Sequence, residues 1–169
     1  MNVDDAIRSR RTSKEFGAEP LPRETLDELL ELARYAPNHR LTQPWRFRAL
    51  GPETLARLKA AAGATEAEKL ARAPTLVLAS CVLTGDPVQD DEDLHATAAA
   101  VTIVLLAAES RGLASYWRTP GVLRTAPGRA AVGLPDGERV VGLIHLGPKL
   151  REGKSKERRP PADYVSFLP

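Results

Sequence analysis

Residues 96–108 read Ala-Thr-Ala-Ala-Ala-Val-Thr-Ile-Val-Leu-Leu-Ala-Ala, a run without a charged side chain. Acidic residues precede it at 90–93, and Arg111 and Gly112 follow it. Carboxylates at a helix start, a cation at its end and a glycine directly after it agree with the helix dipole and with C-capping. The sequence therefore predicts a long helix over about 89–111. Because the helix is apolar around its whole circumference, we expect it to be buried on every side, either in the core or at a subunit interface.

Strand-like segments lie on both sides of this helix. Before it, residues 75–83 form an apolar run with β-branched residues, which is typical of a central strand buried on both faces. After it, residues 114–117 indicate a short strand or loop, and residues 139–146 predict another strand. A further strand is predicted at 45–50. The strands do not alternate regularly with helices, and no glycine-rich turn follows the first one, so the pattern indicates an α+β fold and disfavours a Rossmann fold.

Further helices are predicted in the rest of the chain. The best of them spans 21–37, because Pro22 suits a first helical position and apolar residues recur at helical spacing. A short helix over 2–10 ends in a basic cluster. The remaining helical segments are expected at 52–62, at 64–71 and, in short pieces, at 121–132.

Length and composition are those of one soluble domain. The chain has 169 residues, 43% hydrophobic and 27% charged, with a net charge of +2. Since this charge gives no global field, neither nucleic acid nor membrane is expected as a partner. The lone Cys81 excludes an internal disulfide and a multi-cysteine metal site, and we expect a buried, inert thiol and no metal. No secretory signal pattern or bilayer-spanning run is present, so a cytoplasmic location is expected.

Three polar segments have the residue types of a binding site. Residues 8–14 combine cations with hydroxyls; they suit a phosphate group, but they also suit a solvated helix end. Residues 36–47 form a loop rich in amide, imidazole and hydroxyl groups, which either contacts a ligand or is a turn with local hydrogen bonds. In residues 112–121, Gly and Pro bracket an aromatic pair and an arginine, as expected for a planar ligand or for a strand edge.

Five motifs, in this order, resemble those of the FMN-dependent nitroreductase family. They are Arg10-Arg11-Thr12; Ala36-Pro37-Asn38-His39 followed by Gln43-Pro44-Trp45-Arg46-Phe47; Gly112-Leu113-Ala114 with Trp117-Arg118; residues 140–147; and Lys156-Glu157-Arg158-Arg159-Pro160. The match covers nearly the whole chain, Gln-Pro-Trp-x-Phe is its most specific motif, and the short length resembles the compact branch of the family. Two positions depart from the pattern: Leu41 stands where many members have asparagine, and Ala114 replaces a glycine.

The resemblance implies a nitroreductase-like fold, with helices around a central, mostly antiparallel sheet, in an intertwined homodimer that holds two FMN molecules at its interface. The residues that it implies as flavin contacts come from four parts of the chain. They are Arg10, Arg11, Thr12 and Lys14 near the N-terminus; Tyr35 and His39, reaching from the other subunit; Trp117, Arg118 and Thr119 after the central helix; and Lys156 and Arg158 in the tail. The resemblance does not decide whether the N-terminal arginines or the tail would bind the flavin phosphate.

The function implied by the resemblance is an FMN-dependent oxidoreductase. It would pass hydride from NAD(P)H to an organic acceptor, nitroaromatic or quinone-like, by a ping-pong mechanism. Because the flavin carries the chemistry, no catalytic side chain is expected. The alternative is a non-catalytic flavin carrier or sensor of the same fold. A nucleic-acid or protein-interaction domain that uses the basic tail is disfavoured, because Glu152 and Glu157 interrupt the cations.

The expected organisation is a single FMN-binding domain over 1–169, with residues 148–169 as an extended C-terminal arm. The arm ends in apolar residues, which include Phe167 and Leu168, after a proline-rich segment. A free tail is expected to be polar. We therefore expect this end to dock on the partner subunit of the homodimer.

Overall fold

The structure is a computed structural model that describes residues 1–153 and 156–169. In these residues four strands form one sheet in the order β1-β2-β4-β3, and every neighbouring pair is antiparallel. The strands are β1 (Trp45–Ala49), β2 (Thr75–Val82), β3 (Leu113–Arg118) and β4 (Glu138–Pro148). The α+β fold with an antiparallel central sheet is thus confirmed.

Helices cover both faces of the sheet. They are α1 (Val3–Ser9), α2 (Arg23–Ala33), α3 (Pro52–Ala61), α4 (Ala64–Leu70), α5 (Pro87–Ser110) and α6 (Ala126–Ala131), with single 3₁₀ turns at His39–Leu41, Gly121–Arg124 and Pro161–Asp163. The central helix α5 begins at Pro87, slightly before the predicted start at about 89. Asp86 caps it by accepting the N–H groups of Val88 and Gln89, which satisfies two of the donors that a helix start leaves without partners.

Alternate side chains of β2 enter two separate cores. Val77, Ala79 and Cys81 pack against α2 and α5 on one face. Leu76 and Leu78 face the other way and pack with α3, α4 and α6. This alternation is the period-two pattern of a strand buried on both faces. Cys81 is fully buried and its pKa is raised chiefly by desolvation, which confirms the inert core thiol.

Helix α5 is buried on one side only within the single chain. Ala100 and Val104 are fully buried against the sheet, whereas Thr102 is exposed and Ile103 and Leu106 are partly exposed. The core of the single chain therefore does not cover this helix on every side. By length and composition α5 is able to cross a membrane, but 56% of its apolar window is buried inside the protein, as in the core helix of a soluble protein.

One predicted helix ends earlier than expected, and one segment left open between strand and loop is a strand. The helix predicted over 21–37 ends at Ala33. Residues 34–36 continue as a tight turn, in which Arg34 N–H donates to Glu31 O and Tyr35 N–H donates to Leu32 O. Pro37 explains the early end, because a proline disfavours helical backbone at the residue before it. The segment predicted as a strand or loop at 114–117 is the full strand β3, paired with β4 over six residues.

The two ends of the chain meet beside β3. The segment after α1 lies along this edge strand, where Thr12 forms a parallel bridge with Ser115 and Gly17 N–H donates to Pro148 O at 2.9 Å. The residues after β4 cross the same region. Further on, Phe167 and Leu168 are 94% and 87% exposed. Residues 154–155 of the predicted arm lie outside the described residues.

Candidate functional site

A groove of about 500 Å³ lies where the segment after α1 meets the segment after β4. We call it the cationic groove. Its lining residues are Ser9, Arg11, Thr12, Ser13, Lys14 and Glu15 from the first segment, Glu109 and Ala114 from the end of α5 and the start of β3, and Lys149, Arg151, Glu152, Gly153 and Lys156 from the last. The volume is in the usual range for a small-molecule or cofactor site.

Backbone pairing and one ion pair hold the two walls of the groove in place. Ser13 N–H donates to Ser115 O at 3.0 Å, which fixes the N-terminal wall on the edge of the sheet. The opposite wall is joined to it by Arg151, whose guanidinium lies 2.6 Å from the Glu15 carboxylate. Gly153 packs directly on Arg11, since a Cβ at Gly153 would lie 2.5 Å from Arg11 Cβ. Both walls therefore belong to one packed unit.

The carboxylates of the groove are paired with two of its cations. The Lys149 ammonium lies 3.0 Å from the buried Glu109 and 3.4 Å from Glu152. Desolvation alone would lower the pKa of Lys149, but these two carboxylates outweigh it and the pKa is raised. Lys149 is therefore a fixed positive charge, and with the Arg151–Glu15 pair it accounts for all three groove carboxylates.

Positive charge and donors are left over in the groove. Within residues 1–153 and 156–169, no carboxylate lies at ion-pair distance from Lys14 or Lys156. Arg11 donates through Nη1 to the carbonyls of Arg8 and Arg10, and its buried Nε–H has no partner in the described structure. Such an arrangement favours an anionic ligand with several acceptor oxygens.

The loop at residues 38–43 lies against the start of α5. His39 Nδ1 is 2.7 Å from the Glu92 carboxylate, and both side chains are about half exposed. Thr42 Oγ1 donates to Asp93 Oδ1 at 2.6 Å. Arg40 and Leu41 are exposed at the tip of the loop. None of these residues lines the cationic groove of their own chain.

Tyr35 lines a second, apolar hollow of about 370 Å³, with residues of α1, α2 and α5. The others lining it are Met1, Asn2, Val3, Ala6, Leu32, Ile103, Leu106, Ala107 and Ser110. Tyr35 itself is 71% exposed. The hollow lies over the exposed stripe of α5, so it belongs to the surface that the single chain leaves uncovered.

The residues at the end of β3 have partners within the chain. Trp117 Nε1 donates to Val141 O at 3.1 Å, and its indole packs on Gly142, where a Cβ would lie 2.1 Å from Nε1. The Arg118 guanidinium lies 3.0 Å from Glu66. The Glu66 carboxylate also accepts the N–H groups of residues 121 and 122. Trp117 and Arg118 are thus held in the fold, while Thr119 is exposed.

The structure brings together four of the predicted flavin contacts in one groove. These are Arg11, Thr12, Lys14 and Lys156. Arg10, Tyr35, His39, Trp117, Arg118, Thr119 and Arg158 lie outside it in the same chain, so their contact with the flavin stays a prediction. Sequence reasoning missed Lys149 and Arg151, for which the signal was a basic segment directly after the last strand. It also missed Glu109, because a carboxylate near a helix end carries no such signal.

His145 of β4, which pairs with Tyr116 of β3, is a buried imidazole. It is fully buried on β4, its ring centroid lies 5.6 Å from that of Tyr116, and neither ring nitrogen has a hydrogen-bond partner among the described residues. Desolvation, with a smaller effect of Arg118 and Arg72, lowers its pKa from 6.5 to about 4. The folded protein therefore contains a neutral imidazole.

Acidification is expected to destabilise the fold through His145. The folded-state pKa is below that of the unfolded chain, so between pH 6.5 and 4 the unfolded chain binds more protons and stability falls as the pH falls. From the two pKa values, the loss between pH 7 and pH 5 is about 2 kcal/mol. Urea unfolding at both pH values measures it, and His145→Leu is the comparison. An equal loss in His145→Leu would assign the effect to other groups.

Comparisons with known proteins agree with this architecture. Residues 7–148 match the profile described as "Nitroreductase family". The chain is 32% identical over 180 residues to "Putative NAD(P)H nitroreductase YfhC" of Bacillus subtilis, with 97% of this chain and 93% of that protein covered. A nitroreductase-like family protein from Bacillus cereus superposes with a TM-score of 0.90 at 24% identity, covering 99% of this chain and 96% of that one. A "putative nitroreductase in complex with fmn" from Desulfovibrio desulfuricans superposes with a TM-score of 0.81 at 26% identity and the same coverage.

Proposed function

The chain belongs to the nitroreductase family, and we propose that it binds FMN in the cationic groove and transfers hydride from NAD(P)H to an organic acceptor, nitroaromatic or quinone-like. The observation that carries the proposal is the charge left over in the groove after its ion pairs are formed. The FMN complex of a structural relative and the NAD(P)H in the name of a sequence relative support it.

The groove residues fit the groups of FMN. Among the residues that the structure describes, five cations and three carboxylates line it, a net charge of +2, which matches a phosphate dianion. Thr12 offers a hydroxyl donor of the kind that ribityl and phosphate oxygens accept, whereas the Ser13 hydroxyl already donates to Glu15 O at 2.7 Å. The unpartnered Nε–H of Arg11 is a donor that a bound acceptor oxygen would satisfy. Because Lys14 and Lys156 line the same groove, we propose that the N-terminal cluster and the tail hold the flavin together.

Bound FMN would supply the two-electron redox chemistry. The protein's part is to orient it and to place charge. Two backbone carbonyls fix the Arg11 guanidinium, so its direction is set before a ligand arrives. Lys14 supplies a positive charge for an anionic edge of the ring system. No side chain is needed as nucleophile or base, and we propose that donor and acceptor use one open face in turn, which gives ping-pong kinetics.

We propose that the working form is a homodimer in the cytoplasm, where NAD(P)H is available. Each chain would be a single domain over 1–169 with the arm at 148–169. The exposed stripe of α5 and the apolar hollow beside Tyr35 are surface that a second copy would cover. The exposed Phe167 and Leu168 give the arm an apolar end able to dock on that copy. His39 and Tyr35 would then reach the flavin of the partner subunit.

Deleting the chain from Tyr164 onward is expected to weaken the dimer. Burial of a large apolar side chain contributes roughly 1.5–3 kcal/mol, so losing two of them should raise the dimer dissociation constant about a hundredfold or more. FMN affinity should fall with it, because cofactor binding and assembly are linked by mass action. Mass in solution and FMN titration are measured on the same sample. A truncated protein that stays dimeric and binds FMN as tightly as the full chain would show that the arm is dispensable.

The purified protein is expected to be yellow, or to bind added FMN at micromolar concentration and quench its fluorescence. It should then oxidise NAD(P)H steadily when a nitroaromatic or quinone is present. A colourless protein that leaves FMN fluorescence unchanged would refute flavin binding. Tight FMN binding without turnover would instead favour the flavin carrier or sensor.

A further inference from the structure

The loop at residues 38–43 has a backbone conformation that its own residues do not favour. Arg40, Leu41 and Gln43 have φ angles of 54°, 52° and 45°, in the left-handed region that residues other than glycine rarely adopt. Three such residues within four positions persist only when surrounding structure holds them. The contacts of the loop therefore identify what holds it.

The strongest of these contacts is a part-buried hydrogen bond from the exposed Thr42 to a buried residue of α5. Thr42 Oγ1 donates to Asp93 Oδ1 at 2.6 Å, and Asp93 is only 2% exposed. This length is in the range of O–H···O⁻ bonds to ionised acceptors, which are stronger than neutral ones. The neighbouring residue on the helix, Glu92, contacts His39 at 2.7 Å, but that pair is about half exposed and is correspondingly weaker.

Asp93 has no helix-capping explanation. It lies in the second turn of α5, beyond the first turn in which the helix dipole favours a carboxylate. The hydrogen bonds within the loop, from Gln43 N–H to Asn38 Oδ1 and from Asn38 Nδ2 to Ala36 O, do not reach another element. Among the side-chain contacts described for this loop, the bond to the buried Asp93 joins it to the core. With Thr42 tied down, Leu41 points outward and is 77% exposed.

We infer that Asp93 is a positioning residue, whose carboxylate holds the 38–43 loop in the conformation that presents His39 to the flavin and acceptor site of the partner subunit. This inference rests on the proposed function. It gives the acidic start of α5 a role in the site: Asp93 anchors the loop through Thr42, and Glu92 orients the His39 imidazole. The loop then reaches the partner as a preformed element, with little conformational entropy left to lose on binding.

The test compares Thr42→Val, which removes the hydroxyl at similar size, with Thr42→Ser, which keeps it. The rate of tryptic cleavage after Arg40 measures how firmly the loop is held. FMN affinity, KM for the acceptor and the melting temperature are measured on the same variants. Thr42→Val is expected to be cleaved faster. Its FMN affinity should fall, or its KM for the acceptor should rise, about tenfold, as for loss of a hydrogen bond to a charged group. Its melting temperature should fall by roughly 2–12 °C, because the buried Asp93 carboxylate loses its partner, so cleavage and affinity are measured well below that temperature. Thr42→Ser should stay within about twofold of the wild type.

Asp93→Asn provides a second variant that retains an acceptor but removes the charge. It should fall between wild type and Thr42→Val in cleavage and in affinity. If Thr42→Val matches wild type in cleavage, affinity and KM, the inference is overturned. If the wild type itself binds no FMN, the proposed function fails, and the cleavage experiment alone decides whether Asp93 anchors the loop.

Discussion

Replacing both unpaired lysines of the cationic groove, Lys14→Glu and Lys156→Glu together, is expected to abolish FMN binding at micromolar concentration. Each lysine has no carboxylate partner in the described structure and lines the proposed flavin site. Loss of one charge-assisted contact weakens binding by roughly 1.5–3 kcal/mol. Two losses correspond to roughly a hundredfold to ten-thousandfold in the dissociation constant, and the two new carboxylates add repulsion against the anionic cofactor.

The matched control changes the net charge equally at a distance from the groove. Arg124→Glu and Arg139→Glu are exposed positions that do not line it, and this double variant should bind FMN nearly as the wild type does. Titration of FMN fluorescence measures both proteins after circular dichroism has shown that they are folded. Unchanged affinity in the folded groove variant would mean that the flavin binds elsewhere.

Replacing Glu138 with alanine is expected to lower the free energy of unfolding by about 3 kcal/mol. Glu138 is nearly buried at the start of β4 and accepts two hydrogen bonds at 2.7 Å from Arg48 and one at 2.6 Å from the buried Ser80. Hydrogen bonding from Arg48 lowers the pKa of Glu138. Removing one partner of such a pair leaves the other without compensation, which is the costly case for a buried ion pair.

Thermal unfolding should show this change clearly. For a chain of this length about 3 kcal/mol corresponds to roughly 6–12 °C in Tm. The control is Asp27→Ala, which breaks the exposed pair with Arg23 and should change stability by less than about 1 kcal/mol. Because the pKa of Glu138 is lowered in the fold, its contribution is present above the unfolded pKa and is lost as the pH falls through the folded one. A Glu138→Ala variant as stable as Asp27→Ala would show that the pair contributes little.

Local sequence patterns predicted most of the elements. Three elements were predicted from residues that are neighbours in sequence, and all three are present. They are β2, from its apolar run; α5, from the acidic residues before it and the glycine after it; and α2, from its periodic leucines. The antiparallel sheet and the family followed from motifs that lie far apart but keep their order. The end of α2 was predicted too late. The prediction ran the helix up to Pro37, but the helix ends at Ala33, before the turn that precedes this proline.

The side-chain pairs that join distant parts of the chain were beyond local patterns. Arg48 and Glu138 are 90 residues apart, and Arg118 and Glu66 are 52 apart. Strand periodicity states which side chains share a face, but it does not state which strands become neighbours. The left-handed conformation of the loop at 38–43 was not predicted, because none of its three residues with positive φ is a glycine. Its anchor, Asp93, is 51 residues from Thr42 in sequence.

The join between the two ends of the chain has a consequence for the order of events in the cell. Glu15 and Arg151, which link the walls of the groove, are 136 residues apart. A contact of such long range closes late, because the entropy of a large loop must be lost first. On the ribosome the N-terminal wall leaves the exit tunnel long before the opposite wall has been synthesised. The groove is therefore complete only after both walls have left the exit tunnel, and a cofactor bound there would be recruited after Arg151 has joined the fold.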